Sequence, residues 1–232
     1  MSKEIYDSNF YDALKQGVIS SAETVLELLN KYYQPSSVID VGCGQGEWLA
    51  TAKGIWNAEV TGYDGEWIDQ NKLADNDIQF SHADLASQDC SISGSYDLCI
   101  SLEVAEHLPE QRGSSFIKML TNLSPVILFS AATPGQGGPG HINERWQSYW
   151  AQEFESCGFN TCDILRRQIW TNKKVDWWYK QNIMLYVDSN HPIASEPAFT
   201  ANQEHQLIDL IHPENYLLKM QYLLRLHNQQ KK

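Results

Sequence analysis

Basic side chains are scarce in this 232-residue sequence: 17 Lys+Arg stand against 29 Asp+Glu, a net charge of −12 with His neutral. A surface that tracks nucleic-acid phosphates or anionic lipid head groups carries the opposite balance, so neither nucleic acid nor membrane is expected as a partner. Long apolar runs are missing as well. The longest, such as Val126-Ile127-Leu128-Phe129, are strand-sized, far short of the roughly 20 residues a spanning helix needs. The opening MSKEIYDSNF has no apolar signal core, so secretion is not expected. Cysteine is sparse and unpatterned: Cys43, Cys90, Cys99, Cys157 and Cys162 are odd in number and contain no CxxC pair. That usage reads as reduced thiols in a cytoplasm, not as a disulfide framework or a zinc site. His82, His107 and His141 lie a whole element apart along the chain, so no metal is expected either.

What is present is a regular alternation. Residues 12–33 read as an amphipathic helix, with Val18, Ala22, Val25, Leu29 and Tyr32 recurring at three- and four-residue steps. Strands are expected at 37–41, 58–64, 78–80, 96–102 and 126–130, with helices at 47–53, 67–73 and 109–123 between them. Nearly all-apolar strands alternating with helices imply a doubly wound, mostly parallel sheet covered on both faces. Further on, 143–157 is amphipathic through Trp146, Trp150 and Phe154. Two strand-like runs, 159–165 and 182–187, flank an aromatic-rich insert, and 201–226 is helical in pattern but interrupted at Pro213. Trp146 and Trp150 are expected to share one buried helical stripe. With no repeat, low-complexity tract or linker, one domain is expected over 1–232.

The strand at 37–41 runs into Gly42-Cys43-Gly44-Gln45-Gly46, which opens the next helix. Glycines there let a nucleotide approach the backbone, and an acidic residue at the end of the following strand takes the ribose hydroxyls. Asp64 follows Gly44 by 20 residues, the expected interval. Dinucleotides and S-adenosylmethionine both use this arrangement. The dinucleotide fingerprint requires glycine at position 47, which is Glu47 here. Glu47 and Asp40 would repel a pyrophosphate, whereas the sulfonium and ammonium of S-adenosylmethionine welcome both. An NAD(P)-dependent oxidoreductase or epimerase is therefore disfavoured.

Residues 38–46 resemble the first motif of class I S-adenosylmethionine-dependent methyltransferases. Gly62-Tyr63-Asp64, His82-Ala83-Asp84-Leu85 and the run 96–108 match further motifs in order. The resemblance covers roughly 36–187 and implies a seven-stranded sheet with the last strand antiparallel, formed by 182–187. It also implies residue roles. Asp40 with Gly42, Cys43, Gly44 and Gly46 faces the amino-acid end of the cofactor, Asp64 binds the ribose, and Gly65 lies beside the adenosine. Asp84 accepts from the adenine amino group with Leu85 against the ring, while Ser101, Leu102 and Glu103 lie under the methionine portion. The product would be S-adenosylhomocysteine. The plainer alternatives are a capping role for Asp40, a turn role for Asp84, and capping or packing for Glu106 and His107.

In such a sheet ligands sit outside the carboxyl ends of the strands, so the glycine-rich loop after the fifth strand is positioned to cover the acceptor. His141 is the first candidate general base, since an imidazole titrates near neutrality, with His107 behind it. Glu144 would orient the ring and Arg145 would hold an acceptor carboxylate, with Asn143 capping the next helix. Acceptor loops are thus expected at 132–145 and 167–181. The latter carries Trp170, Trp177, Trp178 and Tyr179, which either stack on an acceptor or pack a hairpin. Residues 1–35 would form an N-terminal lid and helix, with Tyr6, Phe10 and Tyr11 as lid aromatics, and 188–232 a helical tail with apolar surface enough for a homodimer. The stretch 135–144 is similar to bacterial methyltransferases linked to polysaccharide or secondary-metabolite pathways. The expectation is a cytoplasmic enzyme that methylates a small-molecule or saccharide acceptor, on oxygen in preference to nitrogen. A protein methyltransferase and a non-catalytic cofactor-binding module are the alternatives.

Overall fold

The computed structural model describes residues 8–200 and 207–230, with side chains over 15–200 and 207–229. Seven strands form one sheet: β1 (Ser37–Val41), β2 (Glu59–Asp64), β3 (Gln79–His82), β4 (Leu98–Leu102), β5 (Val126–Ser130), β6 (Phe159–Cys162) and β7 (Met184–Asp188). Their order is β3-β2-β1-β4-β5-β7-β6. β7 runs antiparallel to both its neighbours, and every other pair is parallel. The doubly wound sheet expected from the alternating pattern is present, with its antiparallel strand at 184–188.

Alternate residues of each strand point to opposite faces, and here both faces are apolar. Val38, Leu98, Ile100, Val126, Leu128, Leu185 and Val187 pack with Val25 and Leu29 of α1 (Ser8–Leu29) and Leu49 of α2 (Glu47–Trp56). Ile39, Val41, Cys99, Ile127, Phe129, Met184 and Tyr186 pack with Phe116 of α3 (Gly113–Leu123) and Phe154 of α4 (Gln147–Ser156). Burial on both faces is why these strands read as continuous hydrophobic runs. The remaining helices are α5 (Arg166–Ile169), α6 (Trp177–Asn182), α7 (Pro197–Thr200) and α8 (Pro213–Gln230). Among the described residues, no helix is long and apolar enough to cross a membrane.

Several local expectations change. The helix expected at 67–73 shrinks to a single 3-10 turn, Gln70–Lys72, because the Asp69 side chain accepts from the Asn71 amide at 3.1 Å and competes with helix propagation. The helix expected at 143–157 begins only at Gln147. Trp146 precedes it in extended backbone and is 42% exposed, so only Trp150 of the expected pair is core. Asn143 does not cap that helix; its side chain donates to the Ala105 carbonyl at 3.4 Å and accepts from Arg145 at 2.9 Å. The aromatic insert folds as α5 and α6, not as a hairpin. Pro213 starts α8 instead of interrupting a longer helix, consistent with proline's tolerance in a first helical turn. Tyr6 lies outside the described residues, as do the side chains of Phe10 and Tyr11.

Phe154 is central to one face. Its ring stacks on Tyr186 with centroids 3.8 Å apart and meets Phe129 edge-on at 5.3 Å. Phe154→Ala is expected to lower unfolding stability by about 3–5 kcal/mol, measured by urea denaturation. Loss of well under 1 kcal/mol would show that this face is not close-packed.

Candidate active site

The carboxyl ends of β1, β2, β3 and β4 lie along one edge of the sheet, and the segments after them enclose a cleft of about 410 Å³. Gly42 begins the first of these segments with φ of 91°, a left-handed conformation natural to glycine. A Cβ there would also collide with Val104, so the close approach of the two loops requires glycine. Asp64 then ties the loops together. One carboxylate oxygen accepts from the Gly44 amide at 2.8 Å and the other from the Gly65 amide at 2.7 Å. These bonds use two of the roughly four acceptor sites of a carboxylate and leave the others available.

All of the expected cofactor residues but Gly44 and Gly46 fall into two groups. Gly42, Asp64, Gly65, Asp84, Leu85 and Glu103 line the cleft. Asp40, Cys43, Ser101 and Leu102 are buried behind it. The Ser101 hydroxyl is spent on the Val41 carbonyl at 2.8 Å, and Leu102 belongs to the hydrophobic core. A Cβ at Gly46 would run into Ile78, so that glycine serves close packing of the loop. Asp84 accepts from the Ala86 amide at 3.1 Å, forming a turn at the cleft wall. Leu85 is fixed from behind by the buried Arg112, whose guanidinium donates to the Leu85 carbonyl at 3.1 Å and the Cys90 carbonyl at 3.2 Å.

Negative charge dominates this edge. Burial, followed by the nearby charges of Asp64 and Glu47, pushes the Asp40 carboxyl well above the usual carboxylate range. Glu103 adopts φ of 56°, a conformation side chains rarely take. Its carboxylate is caught by Asn182 at 3.1 Å and Gln136 at 3.0 Å. Burial raises the Glu103 carboxyl despite these bonds. Glu106 is fully buried, and burial together with the charge of Glu103 raises its carboxyl strongly.

The fold brings His107 and His141 together, ring centroids 4.9 Å apart and edge to face. The His141 Nδ1 lies 2.9 Å from Glu144, which also accepts from the amides of Gly135 at 2.7 Å and Gly137 at 2.6 Å. Burial opposes ionisation of Glu144, but His141 and the two amides outweigh it and hold the carboxyl below its usual range. The His107 Nδ1 faces the Gly140 carbonyl at 3.2 Å, and burial lowers its pKa. Of the two imidazoles, His107 reaches the cleft wall; His141 stands behind it. Arg145 is engaged elsewhere, paired with Glu110 and lying over the Tyr149 ring. The insert aromatics do not line the cleft: Tyr179 packs edge-on against Trp48, and Trp170 lies tilted against His212.

Two features escaped the sequence. Trp67, 80% exposed, lies across Gly65 at the cleft mouth; a lone aromatic in a polar segment gave no signal of this. The second is a buried amide network in which Gln181 donates to Thr133 at 2.9 Å and Gln136 at 3.0 Å while Asn182 donates to both Gln136 and Glu103. It couples α6 to the glycine-rich loop after β5. The only clue was the run of polar residues just before an apolar strand.

A family model described as "Methyltransferase domain" matches residues 20–181. The chain belongs to this methyltransferase family. Among solved structures, the methyltransferase is similar to a provisionally assigned O-methyltransferase of Nostoc punctiforme (TM-score 0.58, 11% identity), covering 77% of this chain and 58% of that one. It is also similar to magnesium protoporphyrin IX methyltransferase of Synechocystis with bound S-adenosylhomocysteine (TM-score 0.56, 19% identity, 81% and 90% covered). A third is human N-acetylserotonin methyltransferase with S-adenosylmethionine (TM-score 0.53, 17% identity, 77% and 55% covered). The chain thus spans little more than half the length of the first and third. No protein of curated function matches the sequence.

The elevated Asp40 carboxyl makes the methyltransferase's stability depend on pH. The folded state holds this proton above the ordinary carboxylate pKa of about 3.9, so the group favours folding at low pH. That contribution is lost as pH rises through the folded-state value. Asp40→Asn removes the dependence. The unfolding free energy of Asp40→Asn relative to the native chain is expected to rise with pH above about 4, followed by urea titrations across pH. A difference independent of pH would show that Asp40 ionises normally.

Proposed function

We propose that this methyltransferase transfers the methyl group of S-adenosylmethionine to a hydroxyl of a small-molecule or saccharide acceptor. The observation that carries the cofactor half is charge: Asp64 and Glu103 line the cleft and Asp40 is buried behind it, none of them in an ion pair among the described residues. Such a site suits a cationic ligand without phosphate. The methionine end would lie along 42–46, with Asp40, Ser101 and Leu102 shaping the floor beneath it. The free acceptor sites of Asp64 would take the ribose hydroxyls, and Asp84 and Leu85 the adenine. The cofactor core spans 36–187 of one domain, and five free cysteines fit a cytoplasmic location.

Methyl transfer is an in-line displacement. The acceptor oxygen bonds the methyl carbon as the carbon–sulfur bond breaks, and the electron pair stays on sulfur to give S-adenosylhomocysteine. The protein supplies alignment and a destination for the hydroxyl proton. The corner formed by His107, His141 and Glu144 fits that second task. Glu144 fixes the His141 Nδ1 as the protonated nitrogen, which leaves Nε2 basic. Glycines 135, 137, 138 and 140 give the covering loop its shape. A Cβ at Gly138 would collide with the His141 ring, so the imidazole is held where glycine leaves room.

The test is transfer of labelled methyl groups to a panel of phenols, alcohols and saccharides. His141→Ala is expected to slow transfer by about 10²–10⁴-fold while S-adenosylhomocysteine affinity stays near its native value. Parallel loss of both would remove His141 from the chemistry. Labelling confined to protein substrates would overturn the acceptor class.

A further inference from the structure

The acceptor corner contains more than a base. Glu106, adjacent to His107 in sequence, is fully buried, and neither of its carboxylate oxygens has a hydrogen-bond partner. The amides of Glu106 and Ala132 lie near enough to ease its charge but make no aligned bond to it. Native structures rarely leave a buried carboxylate so placed without a compensating group. One nitrogen from each of His107 and His141 and one oxygen of Glu106 lie within 4.8 Å of one another.

We infer that Glu106, His107 and His141 form a binding site for a divalent first-row transition-metal ion beside the cleft. Two imidazole nitrogens and one carboxylate oxygen suit Zn²⁺, Mn²⁺, Fe²⁺ or Co²⁺ better than the all-oxygen shells of Ca²⁺ or Mg²⁺. Ligand atoms about 2.1 Å from a tetrahedral ion are roughly 3.4 Å apart, so an adjustment of about an ångström in the side chains closes the site. The supporting contacts are already in place. The His141 Nδ1 faces the Glu144 carboxylate and the His107 Nδ1 faces the Gly140 carbonyl, the outer contacts that orient metal-binding imidazoles. Glu144 is itself held by two backbone amides.

The site rests on reading this cleft as the place of methyl transfer, and it deepens that reading. An ion with three protein ligands keeps positions open for water or for an acceptor oxygen. His107 at the cleft wall places those positions beside the space the acceptor enters. A coordinated hydroxyl is more acidic than a free one, so its proton can pass to water while the oxygen takes the methyl carbon and sulfur keeps the departing pair. In the loaded enzyme the two imidazoles are then ligands, and the ion replaces a free imidazole as the activating group.

The experiment is Co²⁺ titration of the chelator-stripped full chain, followed by visible absorbance and equilibrium dialysis, with Mg²⁺ as the hard-ion control. S-adenosylhomocysteine binding is followed in parallel by thermal shift. The expected result is one Co²⁺ per chain, displaced by Zn²⁺ and not by Mg²⁺. Glu106→Gln and His141→Ala should each weaken Co²⁺ binding about 10–100-fold, while both retain the S-adenosylhomocysteine shift. Should the buried Glu106→Gln variant fail to fold, His141→Ala decides alone. No stoichiometric Co²⁺ uptake by a chain that binds S-adenosylhomocysteine overturns the metal site and leaves the methyltransferase reading intact, as does undiminished affinity in His141→Ala. Co²⁺ uptake lost in the variants, with no S-adenosylhomocysteine shift in the native chain, supports the metal site and overturns the cofactor reading.

Discussion

Negative charge without a counter-ion organises the edge of the sheet where the loops meet. Asp40, Asp64, Glu103 and Glu106 stand at or just beyond the ends of β1, β2 and β4, and no lysine or arginine among the described residues forms an ion pair with them. Arginines are spent elsewhere: Arg112 fixes the segment behind Leu85, and the buried Arg166 forks onto Asp163 at 2.7 and 3.0 Å. Concentrating carboxylates in a partly buried cleft costs folding free energy unless a positive ligand offsets it. A cleft with this charge favours cationic ligands over phosphate-bearing ones.

The rest of the site works to keep these carboxylates in place. Asp64 bridges two loops through backbone amides, so loop geometry and charge placement are one feature. Glu103 is held in a left-handed conformation by Asn182 and Gln136, and Gln181 carries the same network to Thr133 and, through its side-chain oxygen, to His212 and Asn215 near α8. A disturbance in α6 or the tail thus has a connected polar route to the cleft. Networks of this kind are rigid when complete and costly when broken. Here completion fixes the loop after β5 against α6.

The sheet and the geometry of the loops at its carboxyl edge were legible because their signals are local. Apolar strands, the glycine loop and the interval from Gly44 to Asp64 each lie within one βαβ unit, where spacing along the chain fixes spacing in the fold. Trp146 was misread because helical periodicity cannot say where a helix begins, and its extended backbone takes it out of the stripe that holds Trp150. The surroundings of the loop after β5 were less legible. His107 and His141 are separated by α3 and β5, so separation along the chain hid a contact that crossing of two loops creates. Arg145 looked free because Glu110 is remote in sequence. The Gln136–Gln181–Asn182 network was hidden for the same reason, since amides carry no periodic signal.

The central claim is that the cleft takes a cationic, phosphate-free cofactor. Isothermal titration calorimetry of the full chain with S-adenosylmethionine, NAD and NADP at neutral pH tests it most directly. The account predicts one S-adenosylmethionine per chain and no detectable heat from either dinucleotide. Saturable binding of NAD or NADP with none of S-adenosylmethionine would contradict it.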